Sequence, residues 1–269
     1  MSLSRHQLLE EMGLSPQWVR RDPATVERRE KNTTTTKSAS LPAAAPPMPK
    51  ADQFLAKVAD DRPVCGAERS AQIAQLGWDG LRQSIAACRA CALCSERKQA
   101  VPGVGDENAD WLFIGEGPGA EEDARGEPFV GPAGKLLDAM LAAIDLKRGE
   151  DVYIANAVKC RPPSNRTPEA GEMAACAPYL KRQIALLQPR LIVLLGRAAV
   201  NALLGEEGSL ASLRGKPLAY RDGDHEIPVV VTYHPAYLLR TLPDKAKSWE
   251  DLCRARALMR SLKGESNRP

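Results

Sequence analysis

The sequence predicts an α/β fold, a three-layer α/β/α sandwich around a central four-stranded parallel sheet. Two observations carry this. Four short apolar runs, at residues 111–114, 152–158, 191–195 and 228–232, are rich in Leu, Ile and Val and scarcely alternate. That is the pattern of strands buried on both faces. Stretches with helical spacing lie between most of them, and strand–helix alternation implies a parallel sheet with helices on either side. A chain of 269 residues is long enough for one sizeable domain plus extensions.

The elements follow in order. Residues 2–30 are short and charged. Leu8, Leu9 and Met12 have helical spacing, and Gly13 is a helix stop. A segment this short holds no core. It suits a docking peptide with Leu9, Met12 and Trp18 as anchors. Residues 31–70 are dominated by Pro, Ala and Thr and read as a disordered linker. The folded domain is placed at 71–265. A helix over 78–87 leads into Cys88, Cys91 and Cys94. The run at 111–114 ends in Gly115, Gly117 and Gly119, where the backbone can approach a bound group closely. An acidic patch and the aromatic of GEPFVG come next. A helix then starts near Pro132 and covers 134–144. Further helices are placed at 168–187, 197–204 and 247–262. A hairpin with its turn at Asp222-Gly223-Asp224 fits residues 216–231.

Bulk properties narrow the function classes. The net charge of +3 is compatible with nucleic acid without being evidence for it. No run of 18 apolar residues exists, so no membrane-spanning helix is expected. The N-terminus lacks the apolar core of a signal peptide, so the expected location is the cytoplasm. Seven cysteines there argue for a metal or cluster site, not a disulfide framework. Cys88 and Cys91 form a C-x2-C pair, and Cys160 and Cys176 a C-x15-C pair. Four thiolates can hold a [4Fe–4S] cluster or a zinc ion, and spacing leaves that choice open. Cys94 extends the first pair to C-x2-C-x2-C and reads as a spare thiol. Cys65 and Cys253 read as ordinary cysteines.

In a parallel sheet the strand ends share one edge, where such sheets bind ligands. The ends here carry the Gly115–Gly119 loop, Asn156 and the Tyr233-His234-Pro235 segment, with Phe129 available as a flat wall. An amide both donates and accepts, and an imidazole donates to an oxygen. That set suits a planar ring with alternating carbonyl and N–H groups, such as a pyrimidine.

The motifs GEGPGAEEDARGEPFVGPAGKLLD, YIANAVKCRPPSNRTP and TYHPAYLLR resemble those of the family 4 (iron–sulfur) uracil-DNA glycosylases, over roughly residues 80–262. The resemblance implies base excision repair: uracil is flipped out of DNA, and its N-glycosidic bond is hydrolysed to leave an abasic site. It implies a [4Fe–4S] cluster on Cys88, Cys91, Cys160 and Cys176. It implies uracil binding by Glu116, Gly117, Pro118, Phe129, Asn156 and His234. Asn156 would read N3–H and O4, and His234 would donate to O2. Glycosylases with a GQDPYH motif have Asp where this chain has Gly117, so the residue orienting water is open among Glu116, Glu122 and Asn156. The resemblance also implies a loop that enters the duplex, with an apolar wedge at Leu238 or Leu239 and Arg240 on a phosphate; Arg161 and Arg166, on a basic loop, are candidate phosphate contacts by charge. Lys135 and Lys216 are further candidate phosphate contacts.

Ser4, Arg5, Leu9, Gly13, Leu14, Trp18, Arg20 and Arg21 resemble the N-terminal peptide of the psi subunit of bacterial DNA polymerase III. That implies docking of residues 4–21 on the clamp loader. A monomer is expected. Two other readings compete: a non-catalytic DNA-binding or replisome adaptor on a glycosylase fold, and a dinucleotide-binding oxidoreductase. The latter is disfavoured because Gly115-Glu116-Gly117-Pro118-Gly119 is not a G-x-G-x-x-G loop.

Overall fold

The strands are short runs of large apolar side chains, and all the residues of the first three long ones are buried: β2 (Trp111–Gly115), β3 (Val152–Asn156) and β4 (Leu191–Leu195). The structure is a computed structural model that describes residues 66–206, 208–223 and 225–264. The expected docking peptide, most of the linker and Cys65 lie outside the described residues. The remaining strands are β1 (Val104–Gly105), β5 (Leu218–Asp222) and β6 (His225–Thr232). The sheet has six strands in the order β1-β3-β2-β4-β6-β5. The expected four-stranded parallel core is present as β3-β2-β4-β6. β1 and β5 add antiparallel edges. The β5–β6 pairing is the expected hairpin, with Asp222 opposite His225.

The helices are α1 (Ala67–Ala74), α2 (Trp78–Ala87), α3 (Ala120–Arg125), α4 (Pro132–Ala142), α5 (Ala170–Leu187), α6 (Arg197–Leu204), α7 (Leu210–Leu213), α8 (Pro235–Leu238) and α9 (Lys245–Leu262). Alternate strand residues feed two cores. Trp111, Phe113, Ile154 and Val193 pack with Leu137 and Leu141 of α4 and Leu252 and Met259 of α9. Leu112, Ile114, Ala155 and Leu194 pack with Leu180 and Ile184 of α5 and Val200 of α6. Helices on both faces are therefore an outcome of side-chain period, two per repeat along each strand.

A third apolar cluster joins Ile73, Leu81 and Ile85 to Val158, Cys160, Cys176 and Tyr179. It explains why helical structure begins at Ala67, ahead of position 71 and inside the span read as linker. Arg69 Nη1 donates to Ala175 O (3.0 Å), and its guanidinium lies over the Tyr179 ring. The polar sequence of α1 hides this attachment.

The register aligns the carboxyl ends of the parallel strands. Gly115 lies opposite Asn156, and Leu195 opposite Thr232, two residues before His234. The chain beyond β3 stays beside the loop after β2: Ala157 N–H donates to Gly115 O (2.9 Å) and Val158 N–H to Glu116 O (3.2 Å).

Candidate active site

At the carboxyl edge the loops enclose a cavity of about 1010 Å³, lined by Glu116 to Gly119, Phe129, Asn156, His234 and Arg240 among others. That exceeds what one planar ring needs and leaves room for the chain attached to it. The expected pocket residues are all brought together here.

Gly115 sits at its base. A Cβ there would lie 2.5 Å from both Asn156 Oδ1 and Phe129 Cζ, so only glycine lets these two groups meet. One carboxylate organises the loop above. Glu122 Oε2 accepts Gly119 N–H (3.0 Å), and Oε1 accepts Val130 N–H (2.9 Å) and Gly131 N–H (3.0 Å). These donors belong to the starts of α3 and α4, whose end amides have no intrahelical partner. Glu122 is nearly buried and fully engaged. It ties the loop together while also lining the cavity.

Phe129 has a φ of 56°, in the left-handed region that a bulky residue seldom enters. Such strain costs on the order of 1–3 kcal/mol and persists only where the surroundings enforce it. Arg148 enforces it, donating from Nη1 to Pro128 O (2.9 Å) and from Nη2 to Phe129 O (2.8 Å). Gly134 does so too, since a Cβ on it would come 1.7 Å from Phe129 O. The ring is buried and stacks on His234, centroids 5.4 Å apart. Sequence reading missed Arg148 and Gly134. The available signal was a glycine inside the first turns of a helix, where it is costly without a packing reason.

Asn156 is 1% exposed, and its Oδ1 is the one buried side-chain polar atom without a hydrogen-bond partner among the described residues. An unpaired buried acceptor costs about 1–3 kcal/mol. His234 caps α8, with Nδ1 accepting Ala236 N–H (3.2 Å). Burial, reinforced by the charge of Arg240, pushes this imidazole down to about 4 against the pull of Glu122. It is therefore neutral near pH 7, and with Nδ1 accepting, the proton resides on Nε2. Glu116 is half-buried. Burial pushes its carboxyl up, while a hydrogen bond from Thr167 opposes the shift.

The expected DNA contacts divide. Leu238 is 1% exposed and belongs to the core beneath the sheet edge, which corrects its reading as a wedge. Leu239 is 43% and Leu242 59% exposed. Arg166 lines the cavity with its guanidinium held on Glu172 by two bonds (2.8 and 2.7 Å) and Glu169 nearby. Arg161 donates to Asn165 Oδ1 (2.7 Å), and Arg240 is exposed at the cavity wall. Lys135 and Lys216 are exposed and away from the cavity lining.

Cys88, Cys91, Cys94, Cys160 and Cys176 line a second, small cavity. Cys94, expected as a spare, is part of that lining. Cys253 is exposed. N–H groups point at three of the sulfurs: Arg97 Nη1 at Cys160 (2.9 Å), Arg69 Nη2 at Cys88 (3.5 Å) and the Lys159 amide at Cys176 (3.3 Å). Donors around sulfur suit ligating thiolates. Among the described residues no three Cys, His, Asp or Glu side chains close on one point as ligands of a single metal ion.

Comparison with known proteins agrees with this geometry. Residues 102–253 match the model of the uracil DNA glycosylase superfamily. The chain is 44% identical over 165 residues to a type-4 uracil-DNA glycosylase of Archaeoglobus fulgidus, an alignment spanning 60% of this chain and 82% of that protein. It is 41% identical over 181 residues to the type-4 protein of Thermotoga maritima, covering 66% and 92%. A type-5 uracil-DNA glycosylase of Thermus thermophilus is 35% identical over 175 residues, covering 53% and 77%.

Proposed function

The chain belongs to the uracil-DNA glycosylase superfamily, and we propose that its pocket takes a uracil swung out of DNA and hydrolyses the bond between N1 and the sugar. The products are free uracil and an abasic site. The observation that carries the assignment is Asn156 Oδ1, buried and unpaired beside Phe129. Uracil N3–H supplies the missing donor, and the amide N–H of Asn156 meets O4. Cytosine presents an acceptor at N3 and a donor at C4, so it would leave the buried oxygen unpaired.

The other residues then have roles. Phe129 stacks on the ring. The Glu116-Gly117-Pro118 loop borders its edge. Neutral His234 donates from Nε2 to O2, where negative charge grows as N1 takes the electron pair of the breaking bond. A donor already aimed at developing charge is a large contributor to acceleration. With Glu122 engaged by three amides, Glu116 is the cavity-lining carboxylate left to orient the attacking water. Arg161 and Arg240 meet phosphates, and exposed Leu239 fills the gap left in the base stack.

Cys88, Cys91, Cys160 and Cys176 would hold a [4Fe–4S] cluster, which would tie together the segment after α2, the chain beyond β3 and α5. Residues 4–21 dock on the clamp loader, a reading supported by their resemblance to the psi-subunit peptide. The chain acts as a monomer in the cytoplasm.

The test is a single U:G pair in an oligonucleotide, followed by alkali. The wild type is expected to cut at uracil. Asn156→Ala and His234→Ala are each expected to lose about 100-fold or more, the scale set by removing one transition-state hydrogen bond. A wild type that binds DNA but leaves uracil untouched would replace this reading with the adaptor.

A further inference from the structure

Lys159 is the largest buried charged side chain among the described residues, and the chemistry above does not use it. It stands between the two sites. Its Nζ donates to Asn156 O (2.7 Å) and to Gln183 Oε1 (2.6 Å). Its amide donates to Cys176 Sγ (3.3 Å), its side chain lines the thiol cavity, and the next residue is Cys160. Both acceptors of the ammonium are uncharged. A buried cation satisfied only by neutral oxygens is costly. What lies beside it is the thiol cavity, whose ligating sulfurs would carry the compensating negative charge.

The bond to Asn156 matters because of where Asn156 stands. Its side chain is the proposed uracil reader, and its carbonyl accepts from the Lys159 ammonium. Gln183 is fixed in turn, since its Nε2 donates to Pro102 O (2.6 Å). The ammonium thus has a fixed position, and a fixed carbonyl limits rotation of the peptide that follows Asn156. The main chain holds the other side, through Ala157 N–H to Gly115 O.

We propose that Lys159 is a positioning residue that transmits the geometry of the thiol-lined site to the Asn156 amide. Groups that orient reacting residues without touching substrate typically carry effects of about 10–100-fold. The inference rests on the assignment of Asn156 to uracil. A wild type that fails to excise uracil sinks that assignment. An active wild type with an unimpaired Lys159 variant sinks only the role of Lys159.

The experiment uses iron-loaded full-length protein and Lys159→Met, which keeps length and removes charge. The expected result is a kcat lowered about 10–100-fold with iron content and visible cluster absorption unchanged. KM for uracil-containing DNA should move less than about threefold, because Lys159 is buried and itself touches no DNA. If Lys159 acts through Asn156, then Lys159→Met added to Asn156→Ala costs nothing more, as residues in one network are non-additive. An unchanged kcat, or losses that multiply in the double variant, overturns the proposal. Should Lys159→Met lose its iron or fail to fold, Gln183→Leu takes its place. It leaves every thiol intact and frees the ammonium from one acceptor. It should lower kcat with iron retained, again without effect on the Asn156→Ala background. Full kcat in that variant overturns the proposal equally.

Discussion

The pocket and the thiol-lined site are built on opposite principles. In the thiol site the polar groups find partners inside the protein: arginines and an amide face the sulfurs, and Lys159 is held by two oxygens. In the pocket Asn156 Oδ1 is left without one, beside a strained Phe129 and a histidine kept neutral. The satisfied region sets geometry. The unsatisfied one stores cost that a ligand relieves, as functional sites commonly do.

The contrast can be broken most directly at Asn156. If its oxygen is a liability in the free protein, Asn156→Ala removes activity by about 100-fold or more without lowering thermal stability, since losing the unpaired oxygen relieves about 1–3 kcal/mol that offsets the lost packing of the side chain. A melting temperature that falls by several degrees would show that the amide serves the fold. Gly115→Ala is the steric counterpart. Its Cβ would strike Asn156 Oδ1 and the Phe129 ring, so uracil excision should fall by about tenfold or more, as small misplacements of reacting groups are that costly. Steady-state kinetics with unchanged kcat/KM would place the ring and amide further apart than described here.

Glu122 sharpens the comparison from the satisfied side. Glu122→Ala strands three amide donors, so it should destabilise by about 2–3 kcal/mol in denaturant unfolding. A variant that keeps full stability but loses all activity would return Glu122 to the catalytic candidates. The smallest effect concerns pH. With His234 pushed down to about 4, uracil excision should show no His234 inflection near the ordinary value of about 6.5. On the acid side activity should fall as Glu116, whose carboxyl burial pushes up from its ordinary value, gains a proton, and further as the imidazole does near 4. Below about 6.5 the unfolded histidine takes a proton that the folded one refuses, so His234 lowers stability progressively between about 6.5 and 4. Arg240→Ala should raise the imidazole's titration midpoint, read by NMR. A midpoint that stays or falls would contradict the charge contribution of Arg240.

Much of this was legible in the chain. The near-continuous apolar runs marked the parallel strands, and the rule that their carboxyl ends share an edge brought Asn156, His234 and the glycine loop together before any coordinates. The edge strand β1 was not legible, because two residues carry no periodicity. Nor was α1, because its sequence is polar. Neighbouring residues also traded places: Leu238 entered the core and Leu239 the surface, since one step along a short helix turns a side chain by about 100°.

Partnership was the part that residue type leaves undetermined. Glu116 and Glu122 are both carboxylates beside one loop, and Arg161 and Arg166 both cations on another. Glu122 became a staple and Arg166 a clamp because the fold brought amides 3, 8 and 9 residues away, and a carboxylate 6 residues away, within reach. Arg148 and Lys159 gained their positions in the same way, from carbonyls 19–20 and 3 residues away and, for Lys159, from Gln183 on a helix packed across the sheet. Hydrophobic period is a local property, so it yields the strands, their order of chemistry and the pocket's membership. Hydrogen bonds to buried charges depend on distance in space, so the choice of which carboxylate, which arginine and which lysine do what waits on the packed structure.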